Sequence, residues 1–371
     1  MNFPIPVNEP LLDGNEKKYL VECIDSGWIS SEGPFVKKFE EEFAARVGRT
    51  YGVAVSNGSA ALEAVVLALG IGVGDEVILP TFTIISCAAA ILRAGATPVL
   101  VDADPLTWNM DVTRIEERIT IRTKAIMAVH IYGLPVDMEP LLSLAERHAL
   151  YVIEDAAEAH GLTYQGRPCG SFGAVSTFSF YPNKLVTSGE GGMIVTDDPA
   201  LAERCRGLRN LCFQKKRFVH EELGFNYRMT NLQAAVGLAQ LERLDEFIVI
   251  KRRMGKTYTA LLSEISSLQL PLSMTSHTEN IYWVYGVVMD DSLDFEAETA
   301  MSHLASKHIG TRPFFWCMHE QPVFRRMGLF VGESYPVAEK LARRGFYIPS
   351  GLSLKKQQMV CVSEALRDLL L

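Results

Sequence analysis

The 371-residue sequence has no uncharged apolar run of the roughly 18 residues that a membrane-spanning helix needs. The best candidate, from Thr83 onward, meets Arg93 too early. Positive charge is also scarce: 36 Lys and Arg against 44 Asp and Glu give a formal net charge of -8. No global positive field is therefore expected to draw nucleic acid or an anionic membrane surface. The short basic runs Lys215-Lys216-Arg217 and Lys251-Arg252-Arg253 read as solvated helix or loop faces, though one could meet a diphosphate. The 7 cysteines are scattered, odd in number and without any Cys-x-x-Cys pair, which supports neither a disulfide framework nor a zinc site. No basic stretch followed by an apolar core opens the sequence, so no secretory leader is expected, and free thiols suit a cytoplasmic protein. Repeats and low-complexity tails are missing as well. Two nucleotide-loop look-alikes are incomplete. Gly70-Ile71-Gly72-Val73-Gly74-Asp75 lacks the third glycine of a dinucleotide loop, and Ile250 stands where a P-loop ending in Gly255-Lys256-Thr257 needs glycine.

What remains is the patterning of a folded α/β protein. Tyr51–Ser56, Glu76–Pro80, Pro98–Asp102, Ala125–His130, Tyr151–Asp155, Ser176–Phe180 and Met193–Thr196 read as strands. Several are continuously apolar, as strands covered on both faces of a mostly parallel sheet are. Ser59–Leu69 and Met138–His148 carry helical periodicity, and Gly70 sits where a helix ends. Thr230-Asn231-Leu232-Gln233 has the form of a capping box opening a long helix to about Lys256, and the Ser-rich stretch Ser263–Ser276 reads as a loop. The expected organisation is a large α/β domain over 1–240, with a seven-stranded, mostly parallel sheet, and a smaller α+β domain over 241–371.

Lys184 is the residue that points to chemistry. It ends Ser179-Phe180-Tyr181-Pro182-Asn183-Lys184, behind a β-prone apolar run and just ahead of Gly189-Glu190-Gly191-Gly192. A desolvated amine there would lose its proton readily and form a Schiff base, whereas a plain surface lysine is poorly explained by those flanks. Val152-Ile153-Glu154-Asp155 reads as a buried strand delivering a carboxylate. Asp155 is either the acid that holds a pyridinium nitrogen or an ordinary cap on a following helix. Glu158, one helical turn on, can face the same pocket and meet the cofactor's phenolic oxygen. Asn57-Gly58-Ser59 before a helix offers backbone amides and a hydroxyl to a phosphate, and Ser179 can add another hydroxyl. An amine, an acid and a phosphate cradle form the minimal kit for pyridoxal 5′-phosphate (PLP). His130 and His160 are read as hydrogen-bonded structure rather than catalysts.

With these residues in hand, the chain resembles the DegT-type nucleotide-sugar aminotransferases, which are fold-type I PLP enzymes. The blocks that carry the resemblance are Trp28-Ile29-Ser30-Ser31, Glu154 through Ala159, Ser179 through Gly192, Gly224 through Asn231, Thr311-Arg312-Pro313 and His319-Glu320-Gln321-Pro322. It implies a Schiff base on Lys184, the pyridinium partner at Asp155, and a phosphate site from Gly58, Ser59 and Ser179. It further implies that Asn226 reaches the phosphate in the neighbouring subunit of a homodimer. L-glutamate as amino donor and a nucleotide-linked keto sugar as acceptor follow from the same resemblance. Within the family, the blocks are most similar to members that aminate C4 of GDP-4-keto-6-deoxymannose, with C3 or C4 amination of a dTDP- or UDP-linked sugar as the alternative. A non-catalytic PLP-binding regulator is a further, weaker reading. Ile84 departs from the pattern, since the family commonly places there an aromatic residue that stacks on the cofactor ring. Phe82 either compensates, two residues away on a shared face, or belongs to the core.

Overall fold

The strands of the large sheet are short, apolar and almost fully buried, so they require cover on both faces. In the computed structural model, which describes residues 4–370 apart from 214, 215 and 217, they are β1 (Tyr51–Val55), β2 (Glu76–Pro80), β3 (Thr97–Val101), β4 (Thr123–Val129), β5 (Tyr151–Asp155), β6 (Val175–Ser179) and β7 (Gly192–Thr196). Lys215 and Arg217 of the expected basic run lie outside the described residues. The sheet order is β1-β7-β6-β5-β4-β2-β3, parallel throughout except for β7, which runs antiparallel between β1 and β6. Two apolar layers cover its faces, one built on Phe39, Phe43, Phe178 and Phe180, the other on the helix Gly58–Ala68 and the segment around Ile91. Strand boundaries agree with the sequence expectation to within two residues.

One consequence matters for function. Strands β1, β2, β4, β5 and β6 all run the same way, so Gly58, Ile84, His130, Asp155 and Phe180 follow strand ends at a single edge of the sheet. That is the edge where open α/β sheets hold ligands.

The helix expected from Thr230 to about Lys256 is two helices, Asn231–Leu241 and Leu244–Leu262. The capping box forms as read, with Gln233 and Thr230 exchanging bonds. The break follows Glu242, where Arg243 turns away to pair with Asp13 and, at 2.8 Å, with Glu246. The first half can then pack on the helices Glu16–Ser26 and Pro34–Arg46, while the second reaches the C-terminal helix Lys356–Leu370. Gly237 permits the first contact: a Cβ there would stand 2.7 Å from the Phe39 ring. An interior glycine costs about 1 kcal/mol of helix stability, and the close approach offsets it.

A second sheet, β8 (Leu268–Gln269), β9 (Tyr285–Met289), β10 (Arg312–Pro313) and β11 (Gly345–Ile348), is antiparallel in the order β8-β9-β11-β10. It has its own core, centred on Tyr258, Tyr285 and Phe346. Strand β8 falls inside the Ser-rich stretch expected to be loop, because Leu268 is buried against that core. No helix among the described residues is long and apolar enough to cross a membrane.

Candidate active site

The strand ends open into a cavity of about 760 Å³, within the range of small-molecule sites. Gly58, Ser59, Asp155, Glu158, Ser179 and Lys184 all line it. Asn226 does not. It is exposed, on a segment bridged to Asn210 outside the cavity.

Lys184 sits in the turn after β6, where its backbone N–H bonds the Tyr181 carbonyl at 2.9 Å. Its side chain is 12% exposed, and Nζ lies 3.3 Å from Glu158 Oε1. The same ammonium stands 3.9 Å from the centroid of the Trp283 ring. Trp283 is fixed by its indole N–H, which donates to the Asn183 carbonyl at 2.8 Å. Nothing in the sequence signalled this contact, since Trp283 comes from the strand region of the second sheet, about a hundred residues downstream. A tryptophan face holds a cation without accepting its proton, and so orients the amine without neutralising it.

Glu158 is buried and accepts a bond from the Tyr132 N–H at 3.0 Å. Burial pushes its carboxyl up to about 7, against the pull of the Lys184 ammonium. Asp155 is buried to 3% exposure at the end of β5. Its oxygens accept from the Ala157 N–H at 3.1 Å and the Cys87 thiol at 3.3 Å. Desolvation raises its pKa, and the Ala157 and Cys87 hydrogen bonds and the nearby Lys184 charge only partly oppose this. The segment after Asp155 is a turn and not a helix, so the capping reading fails and the Ala157 contact closes a local Asx turn. Asp155 is a buried carboxylate short of cationic company, which suits it to a protonated ring nitrogen.

The helix Gly58–Ala68 starts at the cavity wall. Asn57 takes the Ala60 N–H on its side chain (2.8 Å) and the Ala61 N–H on its carbonyl (3.1 Å), leaving the Gly58 and Ser59 amides as the open donors of the first turn. A Cβ on Gly58 would stand 2.8 Å from that of Ser179, so only glycine lets the helix end approach β6. Ser59 Oγ shares a 2.7 Å bond with Ser86, a further hydroxyl on this wall. Two buried cavity atoms, Thr177 Oγ1 and Asn183 Oδ1, have no partner among the described residues. Open amides and hydroxyls at this helix start fit a phosphate, and the orphaned Thr177 and Asn183 atoms on the same cavity's lining leave hydrogen bonds for other groups of a ligand.

The two histidines differ. His130 Nδ1 accepts from the Val136 N–H at 3.1 Å, so Nε2 carries the proton it donates to Glu154 at 2.8 Å. His160 stacks on Phe178 and Phe180, its ring nitrogens have no partner among the described residues, and burial holds it neutral with a pKa of about 3. Phe82 does not reach the cavity: it is fully buried against Tyr132, Phe314 and Phe315. Strand β2 ends at Pro80, so the shared-face spacing that would align Phe82 with Ile84 no longer holds. Ile84 lines the wall without Phe82, and the aromatic residues of the cavity, Tyr132, Phe178, Tyr181, Trp283, Phe315 and Tyr347, arrive from other elements.

This geometry agrees with what the chain resembles. Residues 10–367 match the DegT/DnrJ/EryC1/StrS aminotransferase family. The chain is 44% identical over 365 residues to the GDP-perosamine synthase of Escherichia coli O157:H7, covering 98% of each. It is 42% identical to the GDP-perosamine synthase of Caulobacter vibrioides, covering 99% of this chain and 98% of that one. The crystal structure of Streptomyces venezuelae DesV in complex with a ketimine intermediate superposes with a TM-score of 0.89 at 36% identity, over 96% of this chain and 94% of that one. This chain belongs to the DegT/DnrJ/EryC1/StrS aminotransferase family.

Proposed function

We propose that the chain uses pyridoxal 5′-phosphate to transfer the amino group of L-glutamate to C4 of GDP-4-keto-6-deoxy-D-mannose, giving GDP-perosamine. The observation that carries this reading is the amine of Lys184 set between Glu158 and Trp283, in the same cavity as Asp155 and an anion cradle. The GDP-linked acceptor is supported by the 44% identical relative, named for that product.

Bound PLP supplies a carbon that takes up the amino group and a ring that withdraws the electron pair left by deprotonation. The chain's own residues do the rest. Gly58, Ser59 and Ser179 hold the phosphate through amides and hydroxyls. Asp155 keeps the ring nitrogen protonated, and that proton neutralises a carboxylate otherwise costly to bury. Lys184 would hold the cofactor through its amine and, when that amine is free, would take the proton from the donor carbon and return it to the neighbouring carbon. Glu158, hydrogen-bonded to Nζ, fixes where that amine rests between the two duties. Trp283 shields it from water. The enzyme works as a homodimer, with Asn226 serving the partner's cavity. The exposure of Asn226, and of Trp28 (51%) and Ile29 (49%), fits a surface covered by a second copy.

The test is turnover of the purified protein with glutamate and GDP-, dTDP- or UDP-linked 4-keto-6-deoxy sugars, read as 2-oxoglutarate and amino sugar. The GDP sugar should be preferred, and Lys184→Ala should lose at least about 10³-fold in rate. Equal rates on all three sugars would remove the GDP assignment. Full activity in Lys184→Ala would remove the reading altogether.

A further inference from the structure

Three cations line the cavity, and two are already committed. Arg93 pairs with Glu63, which also accepts from Tyr227 Oη at 2.6 Å, and Lys184 pairs with Glu158. The third, Arg312, has no carboxylate partner among the described residues. Among the described residues its guanidinium makes one bond, 2.9 Å to the carbonyl of neighbouring Thr311. It is exposed on β10, at the edge of the second sheet, directly across the ladder from Tyr347, another cavity residue. An arginine held at a cavity rim by a strand, with its fork unoccupied, is set to grip a carboxylate or phosphate in bidentate fashion.

Both substrates of the proposed reaction are anions, and they use one cavity in turn. Ordinary bond lengths put the distal carboxylate of glutamate about 5 Å from the carbon that carries nitrogen. Across a hexose ring, the phosphate on the C1 oxygen lies about the same distance from C4. One cation at a fixed reach from Lys184 can therefore serve both half-reactions. We propose that Arg312 is this shared anion hook, binding the distal carboxylate of the amino donor and then the first phosphate of the sugar nucleotide. The inference rests on the aminotransferase reading above. Alanine, a donor with no distal carboxylate, gains nothing from Arg312.

The experiment compares wild-type holoenzyme with Arg312→Gln and Arg312→Lys. Calorimetry measures binding of 2-oxoglutarate and of GDP, and the glutamate and alanine half-reactions are followed separately. Arg312→Gln should weaken both ligands by about ten- to a hundredfold and raise KM for glutamate by a similar factor. Its maximal rate, and its rate with alanine, should change less than about threefold; Arg312→Lys should recover part of the binding. Unchanged binding of either ligand, or an equal loss with alanine, overturns the shared role. A wild-type protein that neither binds these ligands nor turns over fails the aminotransferase reading itself, a result distinct from a variant that matches a working wild type.

Discussion

Glu154 and Asp155 are consecutive carboxylates at the end of one strand, both buried, yet they live in opposite environments. Glu154 accepts four hydrogen bonds: from His130 at 2.8 Å, Gly170 at 2.5 Å, Phe172 at 3.0 Å and Ser176 at 2.9 Å. Every lone pair that faces the protein is used, and the loop at 170–172 is tied to β4, β5 and β6. Asp155, on the other face of the sheet, accepts two bonds, one of them from a thiol, and burial raises its pKa. A strand alternates its faces, so adjacent residues can do unrelated work. The satisfied carboxylate builds the fold. The under-satisfied one awaits a cation.

Substitutions at the two positions should therefore separate stability from activity. Glu154→Gln places an amide N–H₂ against a backbone N–H in either rotamer, that of Gly170 or of Phe172, and should cost about 2–4 kcal/mol of stability by denaturant titration. Asp155→Asn removes the acid that keeps a ring nitrogen charged and should lower turnover by about 10²–10³-fold. Its cofactor-free stability at pH 7 should change by less than about 1 kcal/mol, because a costly buried charge is lost with the carboxylate.

Glu158 sharpens the same contrast through pH. Its carboxyl titrates near 7 in the folded chain and at 4.5 unfolded, so between those values the folded state holds a proton that the unfolded state has released. Stability of the cofactor-free protein should fall as pH rises through that window, by at most about 3 kcal/mol, and level off above it. Glu158→Gln should flatten this slope, which thermal melts across the window will report. Gly58→Ala is the mildest change. The added methyl group presses on Ser179 and should weaken PLP affinity by about tenfold while leaving the sheet intact, as titration of cofactor absorbance would show.

Much of this was legible in the sequence. Continuous apolar runs between helical segments are diagnostic of a covered parallel sheet, and chemistry then falls at strand ends, as Asp155, Ser179 and Gly58 do. The break after Glu242 was not legible, since no glycine or proline marks it and Asp13, the partner of Arg243 beside it, lies 230 residues away. Trp283 beside Lys184 was hidden for the same reason: the second sheet delivers it across the cavity, and no local pattern encodes that approach. Of the two readings of Phe82 the core one holds, because strand β2 ends at Pro80 and the period-2 spacing stops with it.

The most direct measurement is the rise in melting temperature that PLP gives to wild type, Glu154→Gln and Asp155→Asn. Glu154→Gln should melt lower than wild type without cofactor yet gain the same rise when PLP is added. Asp155→Asn should start at or above wild type and gain little. A normal rise in Asp155→Asn, or an equal loss of it in both variants, would contradict the division of labour between these neighbours.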